Sequence, residues 1–424
     1  MPPLAILDAP ANDVCACDRE RNGLVSIDAA MARAAAWAAP LADVEVLPLG
    51  AAAGRVLARS VHARVASPAF DRSAMDGYAV RAGGGLAAGA RLAVVGRIAA
   101  GARGTRIGAA EAARIFTGAP IPPGADAVVM QEDVRADGHA VVLTRPVRAG
   151  AHIRRTGEDV GVGDRLAEAG TRIEARVVAL LAAQGVGTLA VRRRPRVAVV
   201  STGDELAGPD APLAPAAIHD ANRPMLLALL AAAGCAPIDA GIVRDDASEQ
   251  ASRLAALAGA CDLIVTSGGA SVGEEDHAAR AVRLAGGEAE TLAMALKPGK
   301  PALVGRIGAA SVLGLPGNPV SALVVFSLLG RAMLARLAGG TPRRPAGLPT
   351  PLAEPLARKP GRTEFVPARL VRTEGGTRLA LASTNSARLR PLAEADGFAE
   401  IPADATTADA GVPMDFHPFA GLLA

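Results

Sequence analysis

Between residues 196 and 338 the chain alternates short, almost wholly apolar runs with longer segments of helical period. Residues 197–200, 238–243, 263–266 and 311–313 read as strands buried on both faces, and 223–233 and 247–258 read as helices. Strand and helix in alternation predict a mainly parallel sheet. Asp220 or Asn222 caps the first of these helices, Pro224 sits in its first turn, where a missing N–H costs nothing, and Gly234 stops it. Upstream, residues 26–39 predict an amphipathic helix with Ser26 and Asp28 at its start and Pro40 at its end, followed by a strand at 44–49. The period then changes. Short β-branched runs at 91–95, 127–130 and 140–143 lie between glycine and proline clusters and predict a small all-β insertion. Residues 174–184 predict another helix, ended by Gly185 and suited to pair with the N-terminal one. After the proline-rich link at 341–351, short strands return.

The expected fold class is therefore α/β multidomain. A central, mainly parallel α/β domain covers 193–340, and a small β domain at 59–151 is inserted in a helical, mixed linker domain made of 21–58 plus 152–192. A C-terminal β domain covers 341–424, and residues 1–20 form a tail. A length of 424 residues agrees with several cores, since single cores stop growing at about 250–300 residues. Half the residues are apolar and 21% charged, which fits a folded rather than a disordered chain. With aromatics at only 2%, stacking platforms for single-stranded nucleic acid are scarce, so no nucleic-acid partner is expected.

No basic segment followed by an apolar run opens the chain, and a cytoplasmic location is the expectation. Residues 319–329 are apolar up to Arg331, shorter than the roughly 20 residues a membrane helix needs, and predict a buried helix with no membrane partner. Cysteines at 15, 17, 235 and 261 form neither a disulfide framework nor a paired zinc pattern.

Three loops follow predicted strands: Ser201 to Glu205, Ser267 to Asp276, and Leu315 to Pro319. In open α/β sheets ligands bind beyond the carboxyl ends of the strands, and these ends are small, glycine-rich and acidic. Consecutive backbone N–H groups at Ser267-Gly268-Gly269 can form an anion-binding nest, to which Lys297 and Lys300 add point charges. Glu205, Asp245 and Asp276 offer hard oxygens suited to Mg²⁺ bridging phosphates, and one of them can orient a water for attack on a phosphoanhydride. Pro316 and Pro319 bracket Gly317-Asn318 in a turn with little freedom. Each feature alone has a structural reading, as a tight turn, a solvated acid or a helix cap. Their placement on one edge favours binding.

At Phe70 to Ala79, Thr117 to Pro122, Arg154 to Asp159, Ser201 to Leu206, Ser267 to Asp276, Lys297 to Pro301 and Leu315 to Ser321, the chain resembles the molybdenum insertases, the MoeA and gephyrin E-domain family. The resemblance runs from about residue 20 to the C-terminus. It implies molybdopterin molybdotransferase activity: adenylylated molybdopterin is hydrolysed to release AMP, and molybdate is placed on the dithiolene in a Mg²⁺-dependent reaction. It implies an elongated homodimer, with a molybdopterin adenylyltransferase and apo-molybdoenzymes as further partners.

Carried onto this sequence, the resemblance makes Glu205, Asp245, Asp276 and Asp71 catalytic, the first three of them as metal ligands. It makes Thr117, Ser201, Thr202, Gly203, Asp204, Ser267, Gly268, Gly269, Ser271, Gly273, Lys297, Lys300, Pro316, Gly317, Asn318, Pro319 and Ser386 substrate-binding. Asp71, Thr117 and Ser386 lie outside the α/β segment and approach the site across a dimer interface. Asp76, before Gly77, reads as a turn former. Ala293 stands where many relatives carry a basic residue, which removes one anion contact.

Other classes fit less well. The Gly83 to Ala88 run lacks the strand–turn–helix context of a dinucleotide fingerprint, and Gly299-Lys300 is followed by Pro301 where a P-loop needs Ser or Thr. The alternatives are the adenylyltransferase step, which the flanking domains disfavour, and a gephyrin-like binding scaffold. Tungstate in place of molybdate is equally compatible with these residues.

Overall fold

The computed structural model describes residues 23–268, 277–383 and 385–422. They form two compact units, one drawn from segments 1–45, 54–58 and 190–424, the other from 46–53 and 59–189.

In the larger unit a six-stranded sheet runs in the order Ala236–Val243, Arg196–Thr202, Leu263–Ser267, Ala310–Leu315, Pro301–Ile307, Glu288–Ala293. The first four strands are mutually parallel, and the last two join by antiparallel pairing. Because Pro301–Ile307 alone is reversed, the other five strands all end at one edge. The reversal is a hairpin closed by Gly308-Ala309, with Gly308 at φ +57°, a conformation that tight two-residue turns require.

Side chains alternate along these strands, so each strand feeds two cores. Val197, Val199, Leu263, Val265, Leu313 and Leu315 face one way. They pack with helix Asn222–Ala232, with helix Ile27–Ala36 and with the long helix beginning at Pro319. Ala198, Val200, Ile264 and Val312 face the other way, against helices Ala247–Ala258 and His277–Leu284. The α/β expectation is met, with strands and helices within a few residues of their predicted places.

Two local expectations need correction, and one open choice is resolved. Helix Ile27–Ala36, capped by Ser26 Oγ accepting from Ala29 N at 3.3 Å, puts Ile27, Ala30, Met31 and Ala34 into the core of the α/β sheet, whereas Ala175–Ala183 belongs to the smaller unit. Amphipathicity shows which face is buried but not what covers it. The apolar segment after Pro319 does not stop at Arg331. It continues as one 19-residue helix to Leu337, passing through a π-helical stretch, Phe326–Gly330. By length and composition that helix is long and apolar enough to cross a membrane, but 83% of its apolar 18-residue window is buried inside the protein, so it is a core helix. The cap of Asn222–Ala232 is Asp220, whose Oδ1 accepts from the backbone N–H groups of Asn222 and Arg223, both at 3.1 Å.

The C-terminal segment builds a second six-stranded sheet. Its path runs Leu296–Lys297, Thr363–Thr373, Gly397–Ile401, Pro413–Pro418, Leu348–Pro351, and Gly376–Leu381 flanks Thr363–Thr373. Its first strand pairs Lys297 with Glu364 and so draws this sheet to the loop that follows Glu288–Ala293. The smaller unit carries its own six-stranded sheet, ordered Ala127–Met130, Gly77–Val80, Glu111–Ile115, Arg91–Ile98, Ala140–Leu143, Val134–Asp137.

Candidate active site

Register fixes the edge on which the loops meet: Ser201 lies opposite Ser267, Ser267 opposite Leu315, and Thr202 opposite Val243. Beyond these positions the chain turns, at Gly203 to Glu205, Arg244 to Asp246, Gly268 and Pro316 to Asn318. The Lys297 to Lys300 loop leaves from the carboxyl end of Glu288–Ala293, so it opens on the same edge.

Acids gather at one end of this edge. Gly203 N donates to Val243 O at 3.2 Å, which brings the Gly203 to Glu205 turn beside Arg244 and Asp245. Asp204 Oδ1 accepts from Asp245 N and from Arg244 Nε, each at 3.4 Å. The Asp245 carboxyl is pushed above its ordinary range by partial burial first, then by the negative charges of Glu205 and Asp204, with His277 opposing. A side chain that still reaches solvent is thus already disfavoured as an anion, which marks a local surplus of negative charge. Gln250 Nε2 reaches Arg244 O at 3.0 Å and Asp245 Oδ1 at 3.5 Å, steadying the turn from below.

Backbone and amide donors gather in the middle. Gly268 holds φ +101°, and a Cβ there would sit 2.4 Å from Thr202 O, so only glycine fits. Gly268 N donates to Leu315 O at 3.2 Å, and a Cβ added at Gly317 would come within 3.9 Å of Gly268 Cα. Asn222 Nδ2 donates to Ser267 Oγ at 2.8 Å and to Gly317 O at 2.7 Å, joining two of the predicted substrate loops. Sequence reasoning saw Asn222 only as a cap, because its reach between loops exists only in the folded chain. Buried hydroxyls of Ser201, Thr202 and Thr266 have no hydrogen-bond partner among the described residues.

At the other end lie the cations. Lys297 Nζ is 2.5 Å from Oε1 of Glu364, a carboxylate only 4% exposed, and Glu364 Oε2 is 3.0 Å from Arg358 Nε. These contacts are ion pairs rather than aligned hydrogen bonds, since Glu364 Oε1 and Arg358 Nε lack a well-oriented hydrogen-bond partner. Lys300 is exposed, and its carbonyl accepts from Met294 N at 2.7 Å. Ser386, expected to approach across a dimer interface, instead meets Asn318 within the same chain: Asn318 Nδ2 donates to Ser386 Oγ at 3.2 Å, and Ser386 O accepts from Val320 N at 3.2 Å. Glu364 carried no sequence signal beyond an isolated acid.

Two networks belong to the smaller unit. Asp71 accepts from Thr156 N and Thr156 Oγ1 at 2.9 and 3.0 Å, and pairs with Arg155 at 2.6 Å. Its carboxyl is held below the ordinary range, first by the Thr156 backbone bond. Asp76 Oδ1 accepts from both Thr117 N and Thr117 Oγ1 at 2.7 Å, so the presumed turn former instead fixes the Thr117 hydroxyl. Those same bonds lower its pKa.

Gly269, Ser271, Gly273 and Asp276 lie outside the described residues, as do Cys15 and Cys17. Among the described residues no group of three His, Cys, Asp or Glu side chains is placed to hold a metal ion. Glu205 and Asp245 nevertheless suit a hard divalent cation: they are oxygen donors on adjacent turns, and their mutual repulsion is what a cation would relieve.

A mainly parallel sheet with small, acidic and amide-bearing loops on its carboxyl edge is the arrangement in which open α/β domains place a ligand site. The family follows from comparison with known proteins. Residues 25–185 match the model of the MoeA N-terminal region, domains I and II; 198–336 match the probable molybdopterin binding domain; and 349–419 match the MoeA C-terminal region, domain IV. Molybdopterin molybdenumtransferase 2 of Mycobacterium tuberculosis is 38% identical over 383 residues, 87% of this chain and 93% of that protein. The molybdopterin molybdenumtransferase of Haemophilus influenzae is 40% identical over 300 residues, 70% of this chain and 74% of the relative. The crystal structure of a molybdopterin biosynthesis MoeA protein from Pyrococcus horikoshii superposes with a TM-score of 0.72 at 31% identity, covering 93% of this chain and 99% of that one. The chain belongs to the MoeA family of molybdopterin molybdenumtransferases, transferases of molybdenum cofactor biosynthesis.

Proposed function

We propose that this protein is the molybdopterin molybdotransferase of its host: it binds adenylylated molybdopterin, hydrolyses the adenylate with release of AMP, and inserts molybdate into the dithiolene. The observation that carries this reading is the division of labour along one sheet edge. Hard acids stand at Asp204, Glu205 and Asp245, buried hydroxyls and tight backbone turns at Thr202, Ser267, Gly268 and Gly317, and cationic side chains at Lys297 and Lys300.

Each part answers a need of the substrate. Lys297, Lys300 and the turn amides bind phosphate and molybdate oxygens, while Glu205 and Asp245 face water. One of the two carboxylates orients a water for attack on the phosphoanhydride. Mg²⁺, held by Glu205 and Asp245 together with Asp276, would neutralise phosphate charge during that attack. Pro316 and Pro319 restrain Gly317-Asn318, and Asn318 reaches Ser386, so the C-terminal segment supports the same loop. Asp71 and Thr117, each locked by a hydrogen-bond network of the smaller unit, act from a second copy in a homodimer. In this reading the α/β segment 193–340 is the catalytic part. A cytoplasmic location fits the substrate.

AMP release from adenylylated molybdopterin by the purified protein with Mg²⁺, measured with and without molybdate, tests the proposal. Molybdate-dependent release supports it. Binding without release contradicts it and points to a scaffold, and net synthesis from ATP would move the protein to the preceding adenylyltransferase step.

A further inference from the structure

Asn222 is only 8% exposed and stands at the first residue of helix Asn222–Ala232, at the floor of the carboxyl edge. Its orientation is set by chemistry: Gly317 O can only accept, so the nitrogen of the amide must face it, at 2.7 Å. The same nitrogen donates to Ser267 Oγ at 2.8 Å, and both of its hydrogens are thereby used. One side chain bridges the loop after Leu263–Ser267 to the loop after Ala310–Leu315. These two segments already meet, since Gly268 N bonds Leu315 O, and a Cβ added at Gly317 would reach Gly268 Cα at 3.9 Å. The helix start does not need this amide, because Asp220 caps it through the backbone N–H groups of residues 222 and 223. Asp220 is held in turn by Arg223, which also pairs with Asp239, so the helix end is anchored to the neighbouring strand Ala236–Val243.

We propose that Asn222 is a positioning residue for the transferase reaction: its carboxamide locks the Ser267-Gly268 and Gly317-Asn318 loops into one rigid cradle, so that substrate held by both is aligned for attack. The proposal rests on the functional reading above. It assigns Asn222 no contact with substrate. A cradle that slackens by a fraction of an ångström still binds, but it loses alignment, so the cost falls on turnover more than on affinity.

Asn222→Ala and Asn222→Asp are the test variants. The first removes both donors. The second keeps the volume but, when ionised, offers Gly317 O no donor and serves if the first fails to fold. Both are expected to lower kcat for AMP release by on the order of 10–100-fold while KM for adenylylated molybdopterin stays within about threefold. In a double-mutant cycle, Asn222→Ala and Ser267→Ala are expected to be strongly non-additive in kcat, because they break one shared bond.

Hydrogen exchange supplies a readout that needs no turnover. The Gly268, Gly317 and Asn318 amides should exchange faster in both variants, while the amides within Asn222–Ala232 keep wild-type protection. Wild-type kcat, additive losses, or unchanged exchange at Gly268 and Gly317 would each overturn the assignment. If the wild-type protein released no AMP, the functional reading would fail, yet the exchange result would still decide whether Asn222 ties the loops.

Discussion

At the scale of single residues, Asp245 ties the proposed catalysis to local charge. Its carboxyl binds a proton more tightly in the folded chain than in the unfolded one, because burial and the charges of Glu205 and Asp204 disfavour the anion. The folded state therefore holds more protons between the unfolded pKa, near 3.8, and the raised one, and stability falls as pH rises through that window. Above it the ionised carboxylate remains a net cost. Asp245→Asn should raise the melting temperature at neutral pH and lose AMP release together. Thermal denaturation at pH 4 and pH 7 checks the first part: the gain should be larger at pH 7, and a variant less stable than wild type at pH 7 would sink the argument. Gly268 tests geometry rather than charge. At φ +101°, with Thr202 O 2.4 Å from any added Cβ, Gly268→Ala should cost on the order of 2–3 kcal/mol in urea unfolding.

Among elements, the sheet's amino edge is tied down as firmly as its carboxyl edge is left open. Arg193 grips Asp262 with two bonds of 2.6 and 2.7 Å and also holds Asp43 at 2.6 Å, while Arg196 N donates to Asp262 at 2.7 Å. Burial alone would raise the Asp262 carboxyl, but the Arg193 guanidinium and the Arg196 amide hold it below its ordinary range. That contribution is therefore complete above the unfolded pKa and is lost as pH falls through the lowered one. Arg193→Met, which leaves Asp262 9% exposed and without its partner, should cost about 3 kcal/mol at neutral pH, with the deficit shrinking as the carboxyl is protonated in acid. Urea titrations at pH 7 and pH 3 would show whether it does.

The elements also show what was legible before folding. Mostly apolar runs located the four parallel strands, and a glycine or an acid after each pointed to the edge. The hairpin of Pro301–Ile307 and Ala310–Leu315 was half-visible, because Gly305, Arg306 and Gly308 break the apolar run that would have announced its first strand. Asn222, Glu364 and the Asp76–Thr117 pair were illegible as positioning groups. Each acts on a residue 41 to 95 positions away, and no local pattern encodes a contact of that span.

At the scale of the whole molecule, the proposed reaction needs residues of both units. If Asp71 and Thr117 act from a second copy, the protein should sediment as a dimer, and mixing inactive Asp71→Ala subunits with inactive Asp245→Asn subunits should restore part of the activity through hybrid dimers. Failure of that complementation would confine the site to one chain. The central claim is tested most directly by cofactor delivery: the purified protein, given adenylylated molybdopterin, Mg²⁺ and molybdate, is asked to activate an apo-molybdoenzyme, with Glu205→Gln alongside. The account predicts activation that requires molybdate and is lost in the variant while its fold is retained. Equal activation by Glu205→Gln, or none by the wild type, would contradict it.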